Sequence, residues 1–363
     1  MKILHFAEVV QGGIASYLLE AVPSQCKALG AENVRVLVAE DEKRFLAGLD
    51  PRIIRVLPPR KRDARGLATL FGKVKAIIAE EKPDVLHLHS SFAGAIVRTH
   101  YMLKPLRRPK IVYCAHGWSF NMQIGMAKRR AYQSIERLLA KRTDAIVCIS
   151  EYEYVTALRN GIPKGKLHRI FNGIAAEAPV VDGTSPIDDA SRLNLLFIGR
   201  QDRQKGYDVL LDAMRRLEGR AIMLHVVGDN VVSKASAAAP QPNVVQHGWQ
   251  SRDAVASFML GADALVMPSR WEGFGLVAVE AMRLGLPVCA SAVDALPELV
   301  KEGVSGHLFP ADNSEALAHL LADLDRTSLR RMSAGARQWF LAHFTADRMN
   351  RALLDLYADL CPS

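Results

Sequence analysis

The residues best equipped for chemistry lie in Ser269-Arg270-Trp271-Glu272-Gly273-Phe274-Gly275-Leu276-Val277-Ala278-Val279-Glu280-Ala281-Met282. This segment follows a predicted strand, Ala264–Met267, and runs into a predicted helix. Gly273 and Gly275 let backbone N–H groups approach an anion at a helix N-terminus, where the dipole favours negative charge. A carboxylate there repels phosphate, so Glu272 needs another partner, and sugar hydroxyls suit it. Glu280 follows eight residues later. At the helical rise per residue the two carboxylates are separated by up to about 12 Å. That span brackets a nucleotide-sugar, with hydroxyls at both ends and a diphosphate between. The plainer reading makes Glu272 a first-turn helix acid and Glu280 a solvated helix residue. Against it, Glu280 stands amid Val277, Ala278, Val279, Ala281 and Met282, a setting where an unpaired carboxylate is costly.

A second segment, Phe197-Ile198-Gly199-Arg200-Gln201-Asp202-Arg203-Gln204-Lys205-Gly206, ends a predicted strand at glycine and offers two cations in the following loop. Arg200 can grip phosphate oxygens bidentately, and Lys205 acts as a point charge. When a sugar leaves a nucleoside diphosphate, such cations stabilise the developing negative charge. A solvated basic loop is the alternative; the carboxylate pair favours the site.

Glu272-x7-Glu280 in a Glu-Gly-Phe-Gly-Leu setting, with Gly-Arg-x4-Lys-Gly upstream, resembles the retaining GT-B glycosyltransferases of family 4. The resemblance covers nearly the whole chain. It includes a glycine loop (Gln11-Gly12-Gly13-Ile14-Ala15-Ser16-Tyr17), His87-x-His89, Ala115-His116-Gly117, Ile149-Ser150-Glu151 and Phe171-Asn172-Gly173. The acidic pair is specific in this context, and the other motifs are weak singly.

The resemblance implies an α/β fold of two Rossmann-like doubly wound domains facing a central cleft. Residues 1–175 would serve the acceptor and 176–344 a nucleoside-diphosphate sugar, with a C-terminal helix of about 345–363 packing back on the first domain. It implies that Glu280 holds the ribose hydroxyls. Glu272 and the backbone of Gly273, Phe274, Gly275 and Leu276 would meet the donor sugar and phosphate. Gly199, Arg200 and Lys205 would lie at the diphosphate. Gly12 and Gly13 would approach the donor phosphate or the acceptor, unless they form a plain turn. His116 would join Glu272 as a catalytic residue near the anomeric carbon, orienting rather than attacking; a satisfied core histidine is the alternative.

Further candidates are His89, Asn172, Trp249 and Glu298. His87 and His89 share a strand face by period-2 alternation. With no carboxylate or third ligand placed beside them, and no Asp-x-Asp at a strand end, neither metal nor cofactor is expected. Trp249 either shapes a base pocket or packs in the core. Glu298 ends Asp294-Ala295-Leu296-Pro297-Glu298, a family loop near the donor phosphate. Val293-Asp294 stands there in place of the usual double glycine. Ala175 likewise replaces a common Asp.

Positioning these groups requires repeated strand–helix units. Predicted strands are Lys2–Phe6, Val34–Ala39, Val85–His89, Ile111–Ala115 and Ala145–Ile149, then Leu193–Ile198, Met223–Val227, Val244–His247, Ala264–Met267 and Pro287–Ala290. Most are continuous apolar runs, as in parallel strands covered on both faces. Helical patterns occupy Ala15–Leu29, Leu67–Glu81, Lys128–Arg142 and Asp208–Leu217. The stretch 175–191 is rich in small residues, Pro and Asp, and marks the domain boundary. Gly12-Gly13 is not GxGxxG, which weakens a dehydrogenase reading.

At 363 residues the chain has room for about two domains. With 49% hydrophobic residues it is too apolar for disorder. The formal charge is +9, but residues 1–170 carry 29 Lys and Arg against 15 Asp and Glu, net +14, while residues 171–363 carry 18 against 23, net −5. The positives cluster at Arg60-Lys61-Arg62 with Arg65, Lys73 and Lys75; at Lys104, Arg107, Arg108 and Lys110; and at Lys128-Arg129-Arg130 with Arg137, Lys141 and Arg142. Leu67, Leu70, Phe71, Tyr101, Met102, Leu103 and Leu106 interleave with the first two. Basic residues beside apolar anchors suit an anionic membrane surface; solvated helix faces are the alternative. No nucleic-acid reader motif is present. Cys26, Cys114, Cys148, Cys289 and Cys361 lack CxxC spacing, which argues against a disulfide framework or thiolate zinc site. No run reaches the length of a spanning helix, and Glu8 interrupts any signal-like start. The expected location is the cytoplasm, peripheral to the inner face of the membrane.

The resulting expectation is a retaining glycosyltransferase using a UDP or GDP sugar, acting on a lipid-linked, oligosaccharide or growing polysaccharide acceptor. Transfer to a soluble sugar phosphate, and a GT-B-shaped binding subunit without turnover, are the alternatives. A sugar-nucleotide epimerase shares the architecture but fits the motifs less well.

Overall fold

The computed structural model describes residues 1–58, 64–103, 108–122, 124–179, 185–229 and 241–362. They form two compact units, one of residues 1–174 with 346–363, the other of residues 175–345. The division falls one residue from the sequence boundary at each crossing.

The N-terminal unit is built on β1 (Ile3–Ala7), β2 (Val34–Ala39), β3 (Ile54–Leu57), β4 (Val85–His89), β5 (Lys110–Cys114), β6 (Ala145–Cys148) and β7 (Leu167–Arg169). They make one sheet of order β3-β2-β1-β4-β5-β6-β7, and every pairing is parallel. Parallel neighbours require crossovers. Here these include the helices α1 (Gly13–Leu29), α2 (Ala64–Glu81), α3 (Ser91–Leu103), α4 (Met126–Ala140) and α5 (Glu151–Arg159). All residues of β1, β4 and β6 are buried, and apart from His5, His87 and His89 they are apolar, as strands covered on both faces are. The register sets His5 beside His87, and Ala7 beside His89.

The C-terminal unit carries β8 (Leu193–Ile198), α6 (Tyr207–Arg216), β9 (Ile222–Val227), β10 (Val244–Gln246), α7 (Arg252–Gly261), β11 (Ala264–Met267), α8 (Leu276–Arg283), β12 (Val288–Ser291), α9 (Leu296–Leu299), β13 (Gly306–Phe309), α10 (Ser314–Asp323) and α11 (Arg326–His343). Its sheet order is β10-β9-β8-β11-β12-β13, again parallel throughout. The last helix, α12 (Ala346–Leu360), belongs to the N-terminal unit and packs on α1, where Asn350 Nδ2 donates to the Glu20 carbonyl.

Both sheets reverse their strand order at one place, between β1 and β4 and between β8 and β11. In open parallel sheets the crevice outside the carboxyl ends of such strands receives ligands. The loops that begin at Glu8, Ser90, Gly199 and Pro268 all lie there.

Three strands escape the sequence pattern: β3, β7 and β13. All lie at sheet edges, and none exceeds four residues. Of the basic clusters, Arg60, Lys61, Arg62, Lys104, Leu106 and Arg107 lie outside the described residues, as do the side chains of Arg65, Leu67 and Leu103. No helix among the described residues is long and apolar enough to cross a membrane.

Candidate functional site

In the C-terminal unit, two loops at the switch point are bound together. Gly206 takes the left-handed conformation (φ 65°), and a Cβ on it would sit 1.9 Å from the Pro268 carbonyl oxygen. Only glycine lets the Arg200–Lys205 loop press so closely on the end of β11. Arg270 N donates to the Gln204 carbonyl, and the Arg270 guanidinium spans the Arg203 carbonyl, Asp208 and Asp312. Those acids push its pKa up.

This clamp brings Lys205 onto Glu272, with Nζ to Oε2 at 2.5 Å. Glu272 also accepts from Ser269 Oγ at 3.3 Å. It precedes α8 rather than standing in its first turn, so the helix-acid reading of Glu272 is corrected. Its backbone N–H donates to Asp294 Oδ2 at 2.9 Å. Asp294 adopts φ 49°, the conformation that the expected glycine would have taken. The substitution therefore preserves the turn and adds a carboxylate that holds Glu272. Arg200 lies in the same loop but pairs with Asp202 (3.1 Å) and Gln204 (2.7 Å). The atoms nearest a Cβ on Gly199 would be those of the Lys205 side chain, in ordinary contact.

Gly275 begins α8 with φ 101°, and a Cβ there would crowd Leu296 and Leu299 at 3.0 and 3.2 Å. The first turn of α8 carries no acid of its own, and the Glu272 side chain lies against Gly275 at that helix end. Phe274 is buried against Phe344; Gly273 and Leu276 are partly exposed. Glu280 is also partly exposed, while its neighbours Ala278, Val279, Ala281 and Met282 are buried. Its apolar neighbours in sequence thus pack inward, while Glu280 itself stays partly accessible. Glu298 is partly exposed on α9. Trp249 follows β10 and is 71% exposed, which removes its core-packing alternative.

The N-terminal unit gathers histidines instead. His116 stands just beyond β5 with φ 52°, and Ser90 just beyond β4 with φ 76°. Non-glycine residues in this region concentrate at functional sites. His116 Nε2 pairs with His89 Nδ1 at 2.9 Å, and His89 Nε2 with His5 Nδ1 at 3.0 Å. His5 Nε2 reaches Gln25 Oε1 at 2.7 Å. Beside this chain, His87 Nδ1 pairs with the Tyr357 hydroxyl of α12 at 2.6 Å. Burial lowers the pKa of His5 to about 4 and of His116 to about 3, and depresses His87 and His89 strongly. All four rings are neutral at physiological pH.

No third ligand beside His87 and His89 was legible in the sequence; the fold supplies one. One ring nitrogen each of His5, His87 and His89 lie within 4.8 Å of one another. His5 and His89 already spend both ring nitrogens on hydrogen bonds.

Gly12 caps α1 in an open position with φ 93°, and Gly13 is the first helical residue. The preceding turn is held by buried Glu42, which accepts from Val10 N and Gln11 N at 2.8 and 3.0 Å. Asn172 is buried near α12, and its Oδ1 has no hydrogen-bond partner among the described residues. Ser150 proves to be a helix cap: its Oγ accepts from Glu153 N, while Glu153 Oε2 accepts from the N–H of Ile149, the residue before the cap. Sequence reasoning missed His5, Gln25, Glu42, Asp294 as a partner of Glu272, and Tyr357. None carries a local signal, because each acts on residues far away in the chain.

Two doubly wound parallel sheets of like order, each with its polar groups gathered at its switch point, are the architecture of a GT-B glycosyltransferase. Residues 12–178 match the family model described as Glycosyltransferase Family 4, and residues 188–339 that described as Glycosyl transferases group 1. The chain belongs to this family and is a glycosyltransferase. It is 32% identical over 333 residues to an uncharacterized 41.2 kDa protein in the cps region of Klebsiella pneumoniae, covering 88% of this chain and 89% of that one. It is 25% identical over 318 residues to the Escherichia coli UDP-Gal:alpha-D-GlcNAc-diphosphoundecaprenol alpha-1,3-galactosyltransferase, covering 82% and 80%. The crystal structure of Anabaena Alr3699/HepE in complex with UDP-glucose superposes with a TM-score of 0.81 at 20% identity, covering 99% of this chain and all of that one.

Proposed function

We propose that this enzyme transfers a sugar, with retention at the anomeric carbon, from a UDP-sugar to a lipid-linked or growing polysaccharide acceptor at the inner face of the membrane. The observation that carries the proposal is the Lys205–Glu272 pair, held at the β8/β11 switch point beside the N-terminus of α8. Lys205 and Arg200 neutralise the departing diphosphate, and Glu272 takes sugar hydroxyls. Glu280 takes the ribose, and the α8 backbone meets phosphate. The C-terminal unit is thus the donor half. The bond from anomeric carbon to diphosphate oxygen breaks as the acceptor hydroxyl attacks from the same face. The acceptor proton passes to the leaving phosphate. His116, neutral, holds a sugar hydroxyl. The cationic loop and helix terminus take the place of a divalent metal.

The UDP preference is supported by the HepE complex and by the UDP-Gal in the name of the Escherichia coli relative; the lipid-linked acceptor rests on the same name. Support for the membrane comes from α4. It exposes Tyr132, Ile135 and Leu138, spaced three residues apart, on a helix that also exposes Lys128, Arg130 and Arg137, a combination of apolar and basic groups that suits anionic lipid.

A thermal-shift series with UDP, GDP and ADP tests the donor. A ligand at a hundred times its Kd stabilises by about 2.7 kcal/mol. UDP should raise Tm most; a larger shift with GDP or ADP overturns the base assignment. Turnover should persist in EDTA, and the product should keep the donor's anomeric configuration by NMR. Flotation with phosphatidylglycerol vesicles should be lost in Ile135→Glu/Leu138→Glu. Absence of wild-type binding even at low salt would favour a soluble acceptor.

A further inference from the structure

We propose that Gln25, His5 and His89 are positioning residues that fix the tautomer of His116, keeping its Nε2 protonated and its Nδ1 bare. The inference rests on the reading of His116 as a sugar-contacting residue and extends it to three residues that touch no substrate.

The argument follows the proton along the chain. The Gln25 carbonyl oxygen only accepts, so His5 Nε2, 2.7 Å away, carries hydrogen. A neutral imidazole has one N–H, so His5 Nδ1 is an acceptor. His89 Nε2, at 3.0 Å, must then donate to it. By the same step His89 Nδ1 accepts, and His116 Nε2, at 2.9 Å, donates. His116 Nδ1 is left as the lone pair at the end of the chain. Gln25, His5 and His89 are buried, and His116 alone is partly exposed. The order of burial therefore matches the order of the links: an interior amide sets the polarity, and a residue at the sheet's carboxyl edge displays it.

Neutrality is what makes the device work. A protonated ring anywhere in the chain would present two donors and break the sequence of links. Burial keeps the rings uncharged, and their depressed pKa values agree. The Tyr357 hydroxyl lies beside the Gln25 side chain and pairs with His87 Nδ1. Gln25 Nε2 has no hydrogen-bond partner among the described residues, so the polarity of the chain is set by the contact of Gln25 Oε1 with His5 Nε2. The opposite amide orientation would reverse every link, so the tautomer of His116 is the quantity to measure.

A bare Nδ1 accepts from a hydroxyl and cannot protonate the leaving group. His116 would then orient a sugar while staying out of the proton transfer. The partner of such a residue usually influences activity through geometry and tautomer together.

The test is 15N-histidine NMR of the intact wild-type protein, with His116 resonances assigned by their loss in His116→Gln. The expected pattern is a single neutral tautomer with Nε2–H. In Gln25→Met the pattern should become a mixture of tautomers. kcat should fall about tenfold while KM for the donor stays within about twofold, the size typical of an orienting partner. His5→Phe breaks the chain one link nearer and should do the same, which keeps the test available if Gln25→Met folds poorly. An Nδ1–H tautomer or a mixture in wild type overturns the proposal. So does a His116 pattern unmoved by both variants. Full activity in His116→Gln with the expected tautomer would instead sink the catalytic reading and leave the relay standing.

Discussion

The two units solve the problem of holding polar groups at a sheet edge in opposite ways. The N-terminal unit has the excess of positive charge, yet its gathered groups are four uncharged imidazoles. The C-terminal unit is net acidic, yet its gathered groups are ion pairs led by Lys205–Glu272 and Arg270–Asp208. Burial decides between them. Inside β1 and β4 a charge has no water and must be paired or absent. On half-exposed loops water shares the cost, and a cation can be held ready for an anionic ligand. Net charge describes the outer surface of a domain and says little about its site. A shorter chain in the C-terminal unit shows the intermediate case. Asn194 Nδ2 donates to the Asp189 carbonyl, so its oxygen faces His225 Nε2 at 3.3 Å, and His225 Nδ1 pairs with the partly exposed His247 at 3.0 Å.

Acid should separate the units most sharply. A histidine whose folded pKa lies below its usual value leaves the unfolded chain binding more protons, so stability rises with pH in that range. The contribution is complete above about 6.5 and is lost as pH falls toward the folded values, about 4 for His5 and about 3 for His116. The C-terminal unit holds a smaller load, His225 at about 4 and His247 lowered less. Hydrogen exchange followed by mass spectrometry from pH 7 to 4 should find the N-terminal unit opening first. Simultaneous opening, or the reverse order, would break the contrast.

The N-terminal unit buries an ion pair, Arg98 with Glu136 at 2.9 Å, between α3 and α4. Arg98 also stacks on Tyr113, whose hydroxyl donates to Glu136. Glu136→Leu strands a buried guanidinium and should cost about 3–5 kcal/mol by denaturant unfolding. Arg98→Met combined with Glu136→Leu should recover much of the loss. A cost below 1 kcal/mol for the single variant would show that charge is tolerated there after all.

On the other side of the comparison, Glu272→Gln should lower kcat by about 10²–10³, the usual loss for a group acting on the transition state. Calorimetric UDP binding should change little. Near-normal turnover would move the chemistry elsewhere. The smallest effect is expected of Asp294→Ala, which removes the acceptor for Glu272 N and puts alanine at φ 49°. Stability should fall by about 1–2 kcal/mol. Asp294→Gly should regain the backbone part of that loss and leave Glu272 less well held, visible as a lower kcat.

Much of the architecture was legible because parallel strands buried on both faces are predominantly apolar, with few polar interruptions. Val34–Ala39, Val85–His89, Leu193–Ile198 and Ala264–Met267 coincide with observed strands to the residue. β7, Leu-His-Arg, was not legible: two of its three residues are polar, and it is a strand only because β6 offers it an open edge. The motif segments around Gly199 and Glu272 were visible for a related reason. A glycine that must adopt positive φ and a helix that must begin there leave a local signature. His5 and Gln25 leave none, since a buried histidine in a strand looks like any polar interruption.

Residue by residue, the sequence determined the repeated strand–helix units, the acidic pair, the cationic loop and the uneven distribution of charge, because each follows from local periodicity or from types close together in the chain. Only the tertiary structure decided which polar groups meet. The register of β1 with β4 brings His5 to His87 and His89. The seat of Gly206 under Pro268 brings Lys205 to Glu272. The return of α12 brings Tyr357 to His87. A hydrogen bond constrains two atoms within 3 Å or so of each other, and nothing in the spacing of residues along a chain specifies that distance until the core has packed.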